Sequence, residues 1–368
     1  MQQISPSHPL IRYTGRVDFS NPLGPVFSHS GVSIRIRFTG RRLHIRLDNP
    51  AIHRAPDITN YFNVVVDGAA PVMLQTTSEQ KSYVLAKNLA DCGEHEVVLF
   101  KRTESSPAEY PNAGKVTVRG ISIDDGATLL RTKEQSLRME FIGDSIVCGY
   151  GNGLSKADPI EDHYTTLNAN AWMAFGPIAA RAMNAAYVAV AYSGRGMVRN
   201  FGGRKGQTVP DMYLCTIPDD PGAAPWRPEF YVPDIIVINL GTNDFSEGVG
   251  PQEALDALEM RFAARYQSFI EELTGYYSNA TFILTVGPMI SDQFPAEYFA
   301  QKRVRRTLKA LVAHFRSRGY SNVHWLAFPR HRAPFGEDYH PTIATHRKMA
   351  NRLVRFIESL KHPNSPQR

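Results

Sequence analysis

The hydrophobic period of this chain changes near residue 130, and this change constrains the fold more than any other feature of the sequence. Before it, apolar and polar residues alternate one by one, for example over residues 32–39 and 43–48, with Gly40 between them. Alternation with a period of two is typical of strands that bury one face. Further segments of this kind lie at 61–68, 96–102 and 115–123. No convincing long helical pattern interrupts them, so we predict an all-β, jelly-roll-like sandwich domain over residues 1–130.

In the second part of the chain, residues 131–368, apolar runs alternate with segments of helical spacing. The apolar runs are 139–143, 187–194, 234–241, 281–288 and 323–328. The helical candidates are 169–183, 251–276, 297–318 and 345–361. Strands that alternate with helices favour an α/β domain with a parallel sheet. We therefore predict an α/β domain here, with its ligand site at the carboxyl ends of the strands.

Composition argues against several classes of partner. A hydrophobic fraction of 43% and a charged fraction of 21% are ordinary for a globular protein, and the net charge is only +6. The densest basic run, KRVRRTLK at residues 302–309, has helical spacing, which we interpret as a solvated helix face. Neither a nucleic-acid-binding motif nor an apolar run of about 18 residues is present. We therefore expect no nucleic-acid or membrane partner; the oligomeric state stays open.

Cysteine usage and the N-terminal segment bear on cofactors and location. Cys92, Cys148 and Cys215 cannot complete a disulfide framework, and their spacing matches no zinc site, so we expect neither a metal nor another cofactor. The first residues, MQQISPSHPLIRYTGR, lack the apolar core of a signal peptide. The sequence as it stands predicts a cytoplasmic location, and a leader removed from it would instead imply a secreted or periplasmic one.

Polar and glycine-rich motifs stand where the predicted parallel strands end, or in late loops. The string FIGDSIVCGYG places Ser145 just past the first strand, and SGRG (193–196), GTND (241–244) and GEDYHP (336–341) follow. Loops at the carboxyl ends of parallel strands meet at one edge of the sheet. A hydroxyl, backbone amides, a carboxamide and an imidazole would then share one crevice. These are the groups that acyl transfer through a serine nucleophile requires.

Taken in this order, the four motifs resemble the four blocks of the SGNH (GDSL-type) hydrolases. The fuller strings GDSIVCGYGN and SGRG resemble carbohydrate esterase family 2 more closely. In that family an N-terminal β-sandwich precedes the hydrolase domain. The resemblance implies a three-layer SGNH-type hydrolase domain over residues 131–368. It also implies a serine esterase that removes acetyl groups from polysaccharides or oligosaccharides, such as xylan and glucomannan, through an acyl-serine intermediate, with acetylated carbohydrate as its partner.

The resemblance also assigns roles to individual residues. Ser145 becomes the nucleophile and His340 the general base. Gly194, Asn243 and the Ser145 amide become the donors of an oxyanion hole.

The third member of the triad is less uniform in the family. We expect Asp338 to orient His340, with Glu337 or a backbone carbonyl as alternatives. Tyr339 stands where the family often has tryptophan, and its ring could stack on a sugar or simply wall the cleft.

Other interpretations of these residues exist. Ser145 could serve only as a helix N-cap, and Asn243 only as a turn residue. Two alternative functions remain. One is an SGNH lipase or thioesterase acting on longer acyl chains, and the other is a carbohydrate-binding protein whose hydrolase domain is catalytically vestigial. The presence of Ser145, Asn243 and His340 together argues against a vestigial domain.

Overall fold

The computed structural model describes residues 1–50, 58–90, 93–106, 110–157 and 164–361; Cys92 lies outside these ranges. The strands are β1 (Gln2–Ile4), β2 (Arg12–Thr14), β3 (Val26–Phe27), β4 (Ser33–Thr39), β5 (Leu43–Asp48), β6 (Tyr61–Val66), β7 (Val72–Gln75), β8 (Ser82–Ala86), β9 (Glu94–Lys101), β10 (Val116–Ile123), β11 (Leu129–Leu130), β12 (Leu137–Gly143), β13 (Ala185–Ala191), β14 (Ile235–Asn239), β15 (Thr281–Val286) and β16 (Val323–Ala327). The α-helices are α1 (Ser145–Cys148), α2 (Phe175–Ala182), α3 (Gln252–Tyr276), α4 (Ala300–Ser317) and α5 (Ile343–Lys361).

Strands β1–β11 form two antiparallel sheets. One has the order β1-β10-β5-β8 with β3 beside β10, and the other has the order β11-β4-β9-β6-β7 with β2 beside β4. The alternation read from the sequence has a direct packing cause in β4. Its apolar residues Ile34, Ile36 and Phe38 are at most 1% exposed, whereas the residues between them are half-buried. Burying a side chain of this size contributes about 1.5–3 kcal/mol, so the shared core of the two sheets holds this region together.

Strands β12–β16 form a single parallel sheet in the order β13-β12-β14-β15-β16. Every residue of β13 and β14 is buried, which explains why these strands read as unbroken apolar runs. Side chains of α3 and α4 share one core with one face of the sheet. Those of α1, α2 and α5 share a second core with the other face. The predicted fold class, a three-layer α/β domain after an antiparallel β region, is confirmed.

One predicted helix is shorter than the pattern indicated. The segment 169–183 contains a 3₁₀ turn, Ala171–Met173, and then an extended residue, Ala174, before α2 begins at Phe175. Pro177 is the reason, because proline has no N–H to donate inside a helix. With α2 starting at Phe175, Pro177 falls in the first turn, where no such hydrogen bond is needed.

A buried ion pair joins the antiparallel region to the parallel sheet. Arg16 and Glu140 are 0% and 1% exposed, and their charged groups are 3.1 Å apart. The Tyr213 hydroxyl donates to the same carboxylate at 2.7 Å. The last antiparallel strand ends at Leu130 and the parallel sheet begins at Leu137. The division into two domains at residue 130 stays a prediction.

Two further features bear on the composition arguments. Cys148 and Cys215 are free thiols. In the described part of the chain, every helix is too short or too polar to cross a membrane.

Candidate active site

Ser145 lies on a tight connection between β12 and α1. The strand ends at Gly143, and Asp144 caps the helix by accepting a hydrogen bond from the Ile146 N–H at 3.0 Å. Asp144 is therefore the N-cap, and Ser145 is the first residue of the helix rather than its cap. Gly149 ends α1 in the left-handed conformation, with φ of 74°. This geometry holds the serine at the carboxyl edge of the parallel sheet.

His340 meets Ser145 across 195 residues of sequence, with Nε2 2.8 Å from the serine Oγ. It follows a 3₁₀ turn, Glu337–Tyr339, which the Gly336 N–H closes by donating to the His340 carbonyl at 2.8 Å. The structure thus brings the predicted nucleophile and base within hydrogen-bond distance, the geometry that proton transfer requires.

The other ring nitrogen of His340 faces main-chain carbonyls. Nδ1 lies 2.9 Å from the Glu337 oxygen and 3.1 Å from the Asp338 oxygen. Because carbonyl oxygens only accept, Nδ1 carries the proton and donates it. Nε2 is then the basic nitrogen, free to accept from the Ser145 hydroxyl. This is the backbone arrangement that the sequence left as an alternative to Asp338.

The Asp338 side chain has a different partner from the one expected. Its carboxylate accepts a hydrogen bond from the Tyr150 hydroxyl at 2.5 Å. The backbone of Asp338 is left-handed, with φ of 47°, and this conformation turns its carbonyl toward the imidazole. The geometry therefore assigns Asp338 to the turn itself, and the expectation that its carboxylate bonds to His340 is not what the structure displays.

Glu337, the other candidate acid, is buried and anchors the turn to a neighbouring loop. Its carboxylate accepts from the Thr165 N–H at 3.2 Å, from the Thr165 hydroxyl at 3.0 Å and from the Asn168 side chain at 2.6 Å. Burial raises the pKa of this carboxyl, opposed by these hydrogen bonds. The Glu337 carboxylate thus holds the loop that carries His340 and does not bond to the imidazole ring.

A pair of tyrosines packs against one face of the imidazole. Tyr150 stacks on His340 with ring centroids 4.3 Å apart, and Tyr164 lies against Tyr150 at 4.4 Å. Burial lowers the pKa of His340 to about 4, although the Glu337 carbonyl and the Asp338 charge act in the opposite direction. His340 is therefore neutral at pH 7, the state that a general base needs.

The predicted oxyanion donors surround the same point. Asn243 donates from its side-chain nitrogen to the Arg195 carbonyl at 2.8 Å and, less closely, to Asp144 at 3.3 Å. These bonds place the carboxamide between the residue before Ser145 and the residue after Gly194. Across the described ranges, the main-chain N–H groups of Ser145 and Gly194 donate to no protein group. Their roles as oxyanion donors stay predictions.

Gly194 owes its place to backbone conformation. Its φ is 76°, a region that side chains rarely adopt, and a Cβ there would have only Phe201 within 4 Å, at 3.9 Å. The rest of its loop is held by Asp244, whose buried carboxylate accepts from the N–H groups of Met197, Val198 and Arg199 at 2.7–3.0 Å. Three donors to one carboxylate make a rigid support for this loop.

Tyr339 lies at the rim of the site with 41% of its surface exposed. Its ring makes an edge-on contact with Phe335, and its carbonyl accepts from the His331 ring at 2.6 Å. This position is compatible with contact to a substrate, and the substrate-binding role stays a prediction. Nowhere in residues 1–50, 58–90, 93–106, 110–157 and 164–361 do three or more His, Cys, Asp or Glu side chains form a group able to hold a metal ion.

Sequence reasoning did not single out two residues near this site. Tyr150 is part of the GDSIVCGYGN motif, but nothing in the sequence indicates that its ring stacks on His340. Glu104 belongs to the antiparallel region, and its carboxylate accepts from the main-chain N–H of Ser193, the residue before Gly194. No local pattern connects Glu104 to the catalytic loops. Only long-range packing reveals either contact.

Two families match consecutive parts of the chain. Residues 13–132 match the family described as "Carbohydrate esterase 2 N-terminal". Residues 141–348, more than half of the 368 residues, match the "GDSL-like Lipase/Acylhydrolase family". Fold, site and match together define the class of the protein, a GDSL-type acylhydrolase with the SGNH fold.

Individual relatives narrow the class. Cellulase/esterase CelE of Acetivibrio thermocellus is 34% identical over 355 residues, which cover 96% of this chain but only 40% of CelE. An acetylxylan esterase / glucomannan deacetylase of Cellvibrio japonicus is 30% identical over 93% of this chain and 88% of that protein. The structure of a family two carbohydrate esterase from Clostridium thermocellum in complex with cellohexaose superposes with a TM-score of 0.82 at 32% identity, over 95% of this chain and 99% of that one. The chain belongs to carbohydrate esterase family 2, which confirms the resemblance seen in its motifs.

Proposed function

We propose that this protein is a serine esterase that removes acetyl groups from acetylated polysaccharides or oligosaccharides, such as xylan and glucomannan. The observation that carries the proposal is the 2.8 Å distance between Ser145 Oγ and His340 Nε2. The substrate class is supported by the relative named acetylxylan esterase / glucomannan deacetylase and by the cellohexaose bound to a solved relative.

In the acylation step, His340 Nε2 takes the proton of the Ser145 hydroxyl as Oγ bonds to the acetyl carbonyl carbon. The carbonyl becomes a tetrahedral oxyanion, which N–H groups of Ser145, Gly194 and Asn243 stabilise. The imidazolium then gives its proton to the sugar oxygen as the bond between that oxygen and the acetyl carbon breaks. The sugar leaves with a free hydroxyl, and the acetyl group stays on Ser145.

In the deacylation step, a water molecule replaces the sugar. His340 removes a proton from the water, whose oxygen attacks the acetyl carbon of the acyl-serine. The second tetrahedral intermediate collapses, acetate leaves, and the proton on His340 returns to Ser145 Oγ. The main-chain carbonyls of Glu337 and Asp338 hold the imidazole orientation through both steps.

Acetate release tests the proposal. Wild-type protein should liberate acetate from acetylated xylan or acetylated glucomannan, and Ser145→Ala should abolish this release while the protein stays folded. Wild-type activity in Ser145→Ala, or no turnover of any short-chain ester by wild type, would contradict the proposal. The second result, combined with binding to the polysaccharide, would favour the vestigial carbohydrate-binding alternative.

A chain-length series separates the proposal from the lipase or thioesterase alternative. Acetyl, butyryl and octanoyl esters of p-nitrophenol share one leaving group, so only the fit of the acyl chain differs. A small acyl pocket predicts a steep fall in kcat/KM beyond acetate. Equal or higher rates with octanoate would support a longer acyl tunnel.

A further inference from the structure

We infer that Glu104, in the N-terminal antiparallel region, is a positioning residue for the loop that carries Gly194. Its carboxylate Oε2 accepts a hydrogen bond from the Ser193 main-chain N–H at 3.0 Å. Ser193 directly precedes Gly194. The inference rests on the proposed function, because the placement of this loop affects turnover only if Gly194 stabilises an oxyanion.

Glu104 is itself held firmly. The residue is 2% exposed. The fully buried ammonium of Lys101 donates to the Thr103 carbonyl at 2.7 Å and to the Glu104 carbonyl at 3.1 Å. Gly114 packs so closely that a Cβ there would lie 2.0 Å from the Glu104 carbonyl oxygen. The segment around Glu104 is therefore a rigid platform. Burial raises the pKa of its carboxyl, and the hydrogen bonds from Ser193, followed by the charge of Lys101, oppose this shift.

The loop of Gly194 is anchored on two sides. Glu104 holds it at Ser193, and Asp244 holds it at residues 197–199. Gly194 lies between these anchors with a conformation that only glycine adopts easily. The Ser193 N–H belongs to the peptide that precedes the one carrying the Gly194 N–H, so holding it restricts the direction of the Gly194 N–H to the rotations that remain at Ser193. Preorganised direction is what makes a donor effective toward an oxyanion.

The same carboxylate lies beside the nucleophile helix. Burial raises the pKa of the Glu104 carboxyl, and the thiol of Cys148, the last residue of α1, is one of the groups that oppose this shift. Glu104 thus lies near the helix that carries the nucleophile and bonds directly to the loop that carries a predicted oxyanion donor. The antiparallel region therefore contributes to the catalytic geometry.

The test compares Glu104→Ala and Glu104→Gln with wild type, using p-nitrophenyl acetate for turnover and methylboronic acid as a tetrahedral adduct of the serine. Because a lost oxyanion donor costs on the order of 10²–10³ in kcat, a misaligned one in Glu104→Ala should cost about 10-fold to 100-fold. KM should change by less than about twofold, and the Ki for methylboronic acid should rise in parallel with the loss of kcat. Glu104→Gln should lose less, because its amide oxygen can still accept from Ser193.

Glu140→Gln is the matched control, since Glu140 is also a buried carboxylate of the contact between the two regions but bonds to Arg16 and Tyr213. It should lower the unfolding temperature and leave kcat and Ki unchanged. If Glu104→Ala does not fold, Glu104→Leu, which fills much of the same space without an acceptor, carries the comparison. Wild-type kcat and Ki in a folded Glu104 variant that lacks the acceptor, or an equal loss of kcat in Glu140→Gln, would overturn this inference alone. An inactive wild type would overturn the proposed function and this inference with it.

Discussion

The Tyr150 hydroxyl donates to the Asp338 carboxylate at 2.5 Å while the Tyr150 ring stacks on His340. One side chain therefore supports the imidazole from its face and also holds the turn whose carbonyls bond to Nδ1. The turn needs support, because Asp338 and Tyr339 both have positive φ, at 47° and 59°. The carboxylate of Asp338 stabilises the backbone, and the backbone orients the base.

Asp338→Asn should keep at least about a tenth of the wild-type activity. An acid that directly holds a catalytic histidine contributes on the order of 10⁴ in kcat, whereas a residue that holds the turn should contribute about tenfold or less. The side-chain oxygen of asparagine can still accept a hydrogen bond from Tyr150, and asparagine as a residue tolerates positive φ. The ratio of kcat/KM between wild type and variant measures the difference. A loss of several thousandfold would return Asp338 to the role of triad acid.

The activity, measured as kcat/KM, should decline on the acid side only at a pH far below 7. His340 must be neutral to act as a base, and its pKa is lowered to about 4 by burial. Activity should therefore stay level as the pH falls from 7 and decline only as it approaches 4, measured as kcat/KM for the free enzyme. Since the Asp338 charge raises the pKa of His340, Asp338→Asn should move this decline to lower pH. A decline near pH 7 would instead implicate Asp144, whose pKa burial raises to about 7.

Asn243→Ala should lower kcat by about 10²–10³ with little change in KM, because an oxyanion donor acts mainly on the transition state. Steady-state kinetics with an acetyl ester provide the measurement. Thermal unfolding must be measured as well, to show that the variant is folded, since Asn243 also bonds to Arg195 and Asp144. An unchanged kcat in a folded variant would exclude Asn243 from the oxyanion hole.

Tyr339→Ala should raise KM for an acetylated oligosaccharide by about threefold to tenfold, the loss expected for one aromatic stacking contact. The KM for p-nitrophenyl acetate, which has no sugar ring, should change less. Tyr339→Phe keeps the ring and serves as the control. Equal effects on both substrates would mean that Tyr339 walls the cleft without contacting the sugar.

Arg16→Met should lower the free energy of unfolding by about 3–5 kcal/mol, because it leaves the Glu140 carboxylate buried without its cation. Arg16→Met combined with Glu140→Gln should recover part of this loss, since the buried charge is then removed. Urea unfolding of the two single variants and the double variant gives the coupling energy. Additive effects would show that the ion pair contributes no coupling between the two regions.

The sequence by itself determined the features that depend on neighbouring residues. Period-two alternation in segments such as 32–39, and apolar runs such as 234–241, revealed which strands bury one face and which bury two. The motifs at strand ends located Ser145, Gly194 and Asn243, because a parallel sheet must bring such loops to one edge. Local pattern and general topology were sufficient for these conclusions.

The tertiary structure alone decided which group each side chain contacts. The sequence favoured Asp338 over Glu337 or a main-chain carbonyl as the partner of His340. The observed partner follows from a turn held by Tyr150 and by the loop of Thr165. The bond from Ser193 to Glu104 spans 89 residues and two regions of different fold. Local sequence carries no record of such contacts, because they depend on how independently formed elements pack. A shift of less than 1 Å between donor and acceptor is enough to form or break a hydrogen bond, and only the packing of the folded protein positions the atoms that closely.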